Sequence, residues 1–134
     1  EQVLPRNDFA YVERLWKRWS PSYTPDPEYM REVKQCLRDS LPGPLGYYRA
    51  LRPQRQRRLH AKLDARVPIY VPVLHLHGAE DGCISYDMGE GQARYFKSDF
   101  HSEPLSGLGH FLHLEDPQRV AQAILDFVGP ASPR

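Results

Sequence analysis

Two loops of this chain carry residue types that can do acid–base chemistry together. Asp81 lies three residues after a glycine that ends an apolar run, in Gly78-Ala79-Glu80-Asp81-Gly82, and His110 closes Gly107-Leu108-Gly109-His110 beyond a second candidate strand. In open α/β sheets, functional groups gather in loops at the carboxyl ends of the strands. Loops from adjacent or near-adjacent strands bring an aspartate and a histidine within hydrogen-bonding reach. Such a pair serves a nucleophile: the imidazole takes its proton, and the carboxylate fixes the tautomer and stabilises the imidazolium. The spacing alone leaves the blander alternative open, a turn aspartate and an incidental loop histidine.

Other reactive residues are weaker signals. His75 and His77 alternate as zinc ligands sometimes do, but apolar residues surround them and no third ligand is spaced to join them, so they read as core or edge histidines and no metal is expected. Cys83 follows Asp81-Gly82 without a base of its own and reads as an inert buried thiol. Ser106 follows a candidate strand but leads to His110 rather than into a helix, and His113 reads as a surface or packing residue. Gly89-Glu90-Gly91 lacks the strand and lysine of a phosphate loop.

The elements that must position the two loops change character along the chain. Asn7 or Asp8 is expected to cap a helix with Phe9, Val12, Leu15, Trp16 and Trp19 at helical spacing, ended by Ser20-Pro21. Asp26-Pro27 starts a second helix carrying Met30, Val33 and Leu37. A short third helix is expected over 45–51 and a basic fourth over about 54–65, with Leu59 and Leu63 on one side. From Val67 the pattern turns to strand, helix, strand, helix. Val73 to Gly78 reads as a strand buried on both faces, Met88 to Lys97 as a helix, Ser102 to Leu105 as a weaker strand, and Asp116-Pro117 as the start of a last helix closed by Gly129-Pro130. The expected fold class is therefore α/β, with a helical segment over 1–66 and a strand-bearing segment over 67–134. Two parallel strands cannot close a core, so the second segment reads as the end of a larger sheet.

Composition bounds the class. The chain has 134 residues, 40% of them hydrophobic and 26% charged, with a formal net charge of +1. That suits one globular domain and excludes an acidic tail, a collagen-like repeat and a disulfide miniprotein. No apolar run reaches the length of a membrane span, and no secretory signal is visible. Two cysteines make no framework, so a reduced, cytoplasmic compartment is expected. Seven basic residues and one acid fall between Arg49 and Arg66; with no aromatic platform or nucleic-acid module beside them, they read as a solvated helix face. The chain opens at Glu1 in mid-pattern, which reads as a piece of a longer protein.

The run Val71-Pro72-Val73-Leu74-His75-Leu76-His77-Gly78-Ala79-Glu80-Asp81-Gly82, followed by Gly109-His110-Phe111-Leu112-His113-Leu114-Glu115-Asp116-Pro117, resembles the last third of an α/β-hydrolase. Leu15-Trp16, Trp19-Ser20-Pro21 and Gly46-Tyr47-Tyr48-Arg49-Ala50 resemble the helical cap (lid) of the epoxide-hydrolase-like branch. The resemblance implies that residues 1–66 are cap and 67–134 the C-terminal part of the core. It also implies that Asp81 is the acid and His110 the histidine of a catalytic triad, and that Tyr48 donates a proton to an epoxide oxygen. No cofactor is implied. The substrate would be a small apolar epoxide or ester, with no nucleic-acid or membrane partner.

This chain departs from the family in having neither Gly-x-Ser-x-Gly nor an aspartate equivalent on a strand-to-helix turn. The nucleophile and most of the sheet are therefore expected outside it, and association with a missing N-terminal half or with itself is expected. Two alternatives stand beside the epoxide reading: a serine esterase, and a truncated, non-catalytic module that binds a partner or small ligand.

Overall fold

A computed structural model of the chain describes residues 4–50 and 68–129. The helices α1 (Ala10–Trp19), α2 (Pro27–Ser40) and α3 (Gly43–Ala50) precede strand β1 (Val73–Gly78). Two 3-10 turns (Tyr86–Gly89 and Gln92–Tyr95), strand β2 (Phe100–Leu105), a single turn of helix α4 (Leu112–Glu115) and helix α5 (Pro117–Val128) complete the order. The protein is mixed α/β, with helices and a two-stranded parallel sheet. The expected basic helix over 54–65 and the expected division at 66/67 lie outside the described residues. Two compact units are present: one runs through Leu15 and resumes at Thr24, and the other joins Trp16–Tyr23 to the segment from Ile69 onward.

In the first unit, the Asp26 carboxylate accepts from the Glu28 and Tyr29 amides at 2.8 and 3.2 Å, and Pro27 supplies the preset φ of the first helical position. The expected cap of α1 is corrected. Asn7, Asp8 and Phe9 take left-handed φ values of 50°, 53° and 58°, and the Asp8 carboxylate turns to Lys34 and Arg38 of α2. Three consecutive non-glycine residues in that region are costly. Burial of Phe9, with Val12 and Met30, offsets the cost.

In the second unit, β1 and β2 pair in parallel from Val73 opposite Phe100 to Gly78 opposite Leu105. Val73 to His77 are only half-buried, so the expected burial on both faces is not met among the described residues. The helix expected over 88–97 is also corrected. Gly91, at φ +73°, breaks the segment into the two 3-10 turns and leaves Met88 exposed. The last helix starts as its sequence indicates: Asp116 accepts from the Arg119 amide at 2.9 Å, Pro117 follows, and Gly129 at φ +68° ends it.

Three backbone stretches of this unit touch without side chains between them. A Cβ on Gly78 would lie 2.0 Å from the Gly109 carbonyl oxygen, and one on Gly109 would lie 2.6 Å from the Cα of Ser20. No side chain fits either place. Gly78→Ala should therefore destabilise the protein by about 2–3 kcal/mol, as forced overpacking does. Gly46→Ala, inside α3 where the added methyl meets nothing within 4 Å among the described residues beyond its own helix backbone, should be neutral or stabilising by up to about 1 kcal/mol. Urea-unfolding midpoints measure both, and equal losses would contradict the close approach.

Candidate functional site

The site begins with a carbonyl. The Trp19 oxygen accepts from the Gly82 amide at 3.0 Å and from the His110 amide at 3.1 Å, so one main-chain atom at the end of α1 ties together the loops after β1 and β2. The Glu80 amide donates to the Leu108 carbonyl at 2.9 Å and closes the same junction.

Glu115 holds the histidine loop from the other side. One of its oxygens accepts from the Ser20 hydroxyl at 2.7 Å and the Phe111 amide at 3.1 Å; the other accepts from the Gly109 amide at 2.8 Å. Ser20 is fully buried, and its hydroxyl oxygen also accepts from the Phe111 amide at 3.2 Å. The residues on both sides of His110 are therefore fixed by one carboxylate. The aromatic packing agrees: Trp16 stacks on Phe111 at 3.9 Å between centroids, and Trp19 meets the His110 ring edge-on at 5.0 Å.

This frame brings Asp81 and His110 together, with Asp81 Oδ2 2.8 Å from His110 Nδ1. The other Asp81 oxygen accepts from the Cys83 and Ile84 amides at 2.7 and 2.9 Å, closing a tight turn. The Asp81 side chain is 6% exposed and that of His110 26%, so the acid is sealed while the imidazole reaches solvent. Burial works against the charge on Asp81. The Ile84 amide, the His110 ring and the Cys83 amide outweigh it and hold the carboxyl below its ordinary value. An ionised Asp81 only accepts, so Nδ1 donates the hydrogen of this bond, and in the neutral ring Nε2 is then the nitrogen with the lone pair. That is the arrangement of a general base.

The remaining candidates fall elsewhere. Tyr48 lies in the other unit, on α3, 65% exposed and with its ring edge-on to Tyr47. His75 receives the Gln92 amide at 3.2 Å and lies 2.9 Å from the Ser102 hydroxyl. Burial first, and then the neighbouring His77, lowers its pKa. His77 bonds through Nε2 to the Ile84 carbonyl at 2.9 Å, so it braces the Asp81 turn. Cys83 is exposed, which corrects the expected buried thiol: the Asp81 turn points its residue outward. Partial desolvation and the Asp81 charge raise its pKa, so the thiol is not activated. Ser106 is a turn residue whose carbonyl accepts from the Arg119 guanidinium at 2.8 Å. Asp81, Cys83 and His110 are the described residues whose donor atoms could share a metal ion. A groove of about 510 Å³ bordered by Leu74, Leu105, Arg119 and Phe127 contains neither Asp81 nor His110.

Ser20 and Glu115 are the functional neighbours that residue types alone do not mark. Glu115 stands in His113-Leu114-Glu115-Asp116-Pro117, where its place ahead of a capped helix reads as surface charge. No protein-family model and no curated protein sequence matches the chain.

The Asp81 shift has a defined pH signature. A depressed folded-state pKa adds stability that is fully present above the unfolded value and is lost as pH falls through the folded value. The wild type should exceed Asp81→Asn in stability above about pH 5, and the gap should close in acid, below the ordinary carboxyl value of 3.8. Urea unfolding of both proteins across that range checks it; a gap that widens in acid would contradict the assignment.

Proposed function

We propose that this chain carries the acid–histidine half of an epoxide-hydrolase-like α/β-hydrolase site, and that Asp81 and His110 are its general-base pair. The observation that carries the reading is the 2.8 Å bond from His110 Nδ1 to an ionised, buried Asp81, with Nε2 left as the acceptor. The resemblance of both loops and of the 9–50 segment to that family supports it. In this reaction a carboxylate from outside these residues attacks an electrophilic carbon and forms an ester. His110 Nε2 then takes a proton from water, the resulting hydroxide attacks the ester carbonyl, and Asp81 stabilises the imidazolium; the acyl C–O bond breaks, freeing the carboxylate, and the imidazolium gives its proton to the departing alkoxide. Tyr48 donates a hydrogen bond and then a proton to the opening epoxide oxygen.

The reading also accounts for the apolar surface of the second unit. Leu125 and Val128 of α5 are 60% and 65% exposed, and a parallel sheet of two strands is normally covered and extended by further elements. The partner is the rest of the sheet or a second copy of the chain, and this chain by itself turns over neither epoxides nor esters.

The test joins the chain to its nucleophile-bearing segment. His110→Gln should leave the first step intact and block the second, so mass spectrometry after substrate addition finds an accumulating covalent ester. Turnover within a few-fold of wild type would sink the assignment. In the same assay, Tyr48→Phe should slow attack on an epoxide by about tenfold to a thousandfold and spare an ester of similar size. An adduct on a serine would instead select the esterase mechanism.

A further inference from the structure

The geometry points to a binding site for a thiophilic divalent cation of the zinc or cadmium class, formed by Asp81, Cys83 and one ring nitrogen of His110. The three donor atoms lie within 4.8 Å of one another. Tetrahedral zinc holds nitrogen and oxygen ligands at about 2.0–2.2 Å and sulfur at about 2.3 Å, which sets the ligands roughly 3.3–3.6 Å apart. The site is thus assembled to within about an ångström of that geometry; rotation of exposed Cys83 and a slight parting of Asp81 and His110, now 2.8 Å apart, supply the difference.

The donors are held in place for reasons independent of a metal. Asp81 Oδ1 accepts the amide of Cys83 itself at 2.7 Å, so the turn that seals the carboxylate also carries the thiol beside it. His110 is already at Asp81 Oδ2, and its backbone is tied by Trp19 and, through its neighbours, by Glu115. Pre-formed ligands of this kind lower the ordering cost of binding. The mixture of sulfur, imidazole and carboxylate selects zinc or cadmium over magnesium or calcium, which take oxygen ligands. Of the other nearby imidazoles, His75 bonds to Gln92 and Ser102, and His77 bonds through Nε2 to the Ile84 carbonyl, with that nitrogen 3.6 Å from Asp81 Oδ2.

Three protein ligands leave a fourth position for water, on the side where Cys83 is exposed. When the metal–sulfur bond forms, the Cys83 thiol releases its proton to solvent, and binding through Nδ1 moves that nitrogen's hydrogen to Nε2 by exchange with solvent, so the imidazole ligates as the neutral ring. The ion occupies Asp81 and His110 together, so metal binding and use of His110 as a base exclude each other. That inhibitory consequence rests on the proposed hydrolytic reading, whereas the binding itself does not.

Titration of the full chain with cobalt(II) as the probe, read by absorption, separates the two. A one-to-one complex should show the thiolate-to-cobalt charge-transfer band. Zinc should displace cobalt, and calcium or magnesium should not. Cys83→Ser should abolish the band, while Cys36→Ser, which removes the other exposed thiol, should keep it. Asp81→Asn and His110→Ala should each weaken zinc binding at least about tenfold, with circular dichroism confirming that each variant is folded. No charge-transfer band in the wild type, a band that survives Cys83→Ser, or zinc affinity unchanged in a folded His110→Ala protein would overturn the site. Absence of epoxide and ester turnover by the metal-free complete protein, with the cobalt band intact, would count against the hydrolase reading alone.

Discussion

The junction in the second unit depends on one carbonyl oxygen. Trp19 ends α1, and its main-chain oxygen receives amides from both the Asp81 loop and the His110 loop. A backbone acceptor has no rotamers, so the two loops are referred to a single point with little freedom to drift apart. Such bonds form only where chain segments pass at backbone distance. The small residues found there, Gly78, Gly82, Gly109 and Ser20, follow from that need for space. Ser20 adds the hydroxyl that Glu115 accepts, which extends the tie from the end of α1 to the start of the last helices.

Glu115 turns a loop into a fixed platform. Its two oxygens take three donors, two of them the amides flanking His110, and a carboxylate in that role forms strong, charge-assisted bonds. The imidazole can then stay partly exposed without losing its orientation. Asp81 is placed by the same economy: one oxygen closes its own turn on Cys83 and Ile84, leaving the other for His110. Each oxygen has a separate task, so the bond to histidine does not compete with the turn.

Legibility in the sequence followed the range of the interaction. Asp26 and Asp116, each before a proline, name two helix starts because capping is settled within three residues. The β1 run and the glycine that ends it are equally local. Asp81 and His110 are legible as a pair because strand-end loops are where such residues meet, and the structure brings them to 2.8 Å. Asp8 misleads because its strongest partners, Lys34 and Arg38, are a helix away, and they win over capping. The helix expected over 88–97 fails at Gly91, whose left-handed φ breaks a segment with no firm apolar stripe. Ser20 and Glu115 stand 95 residues apart, so no pattern along the chain reveals that they share a hydrogen bond. The direction of Cys83 likewise depends on a turn closed by a side chain, which periodicity does not encode.

Asp81 holds the hydrogen on His110 Nδ1 and leaves Nε2 as the acceptor of the neutral ring. Long-range proton–nitrogen correlation spectra of the full chain labelled at histidine nitrogen read that tautomer directly. His110 should show a protonated Nδ1, with its proton shifted far downfield by the carboxylate, and an unprotonated Nε2; Asp81→Asn should remove the downfield proton. A neutral His110 protonated at Nε2 in the wild type, or a downfield resonance that persists in Asp81→Asn, would contradict it.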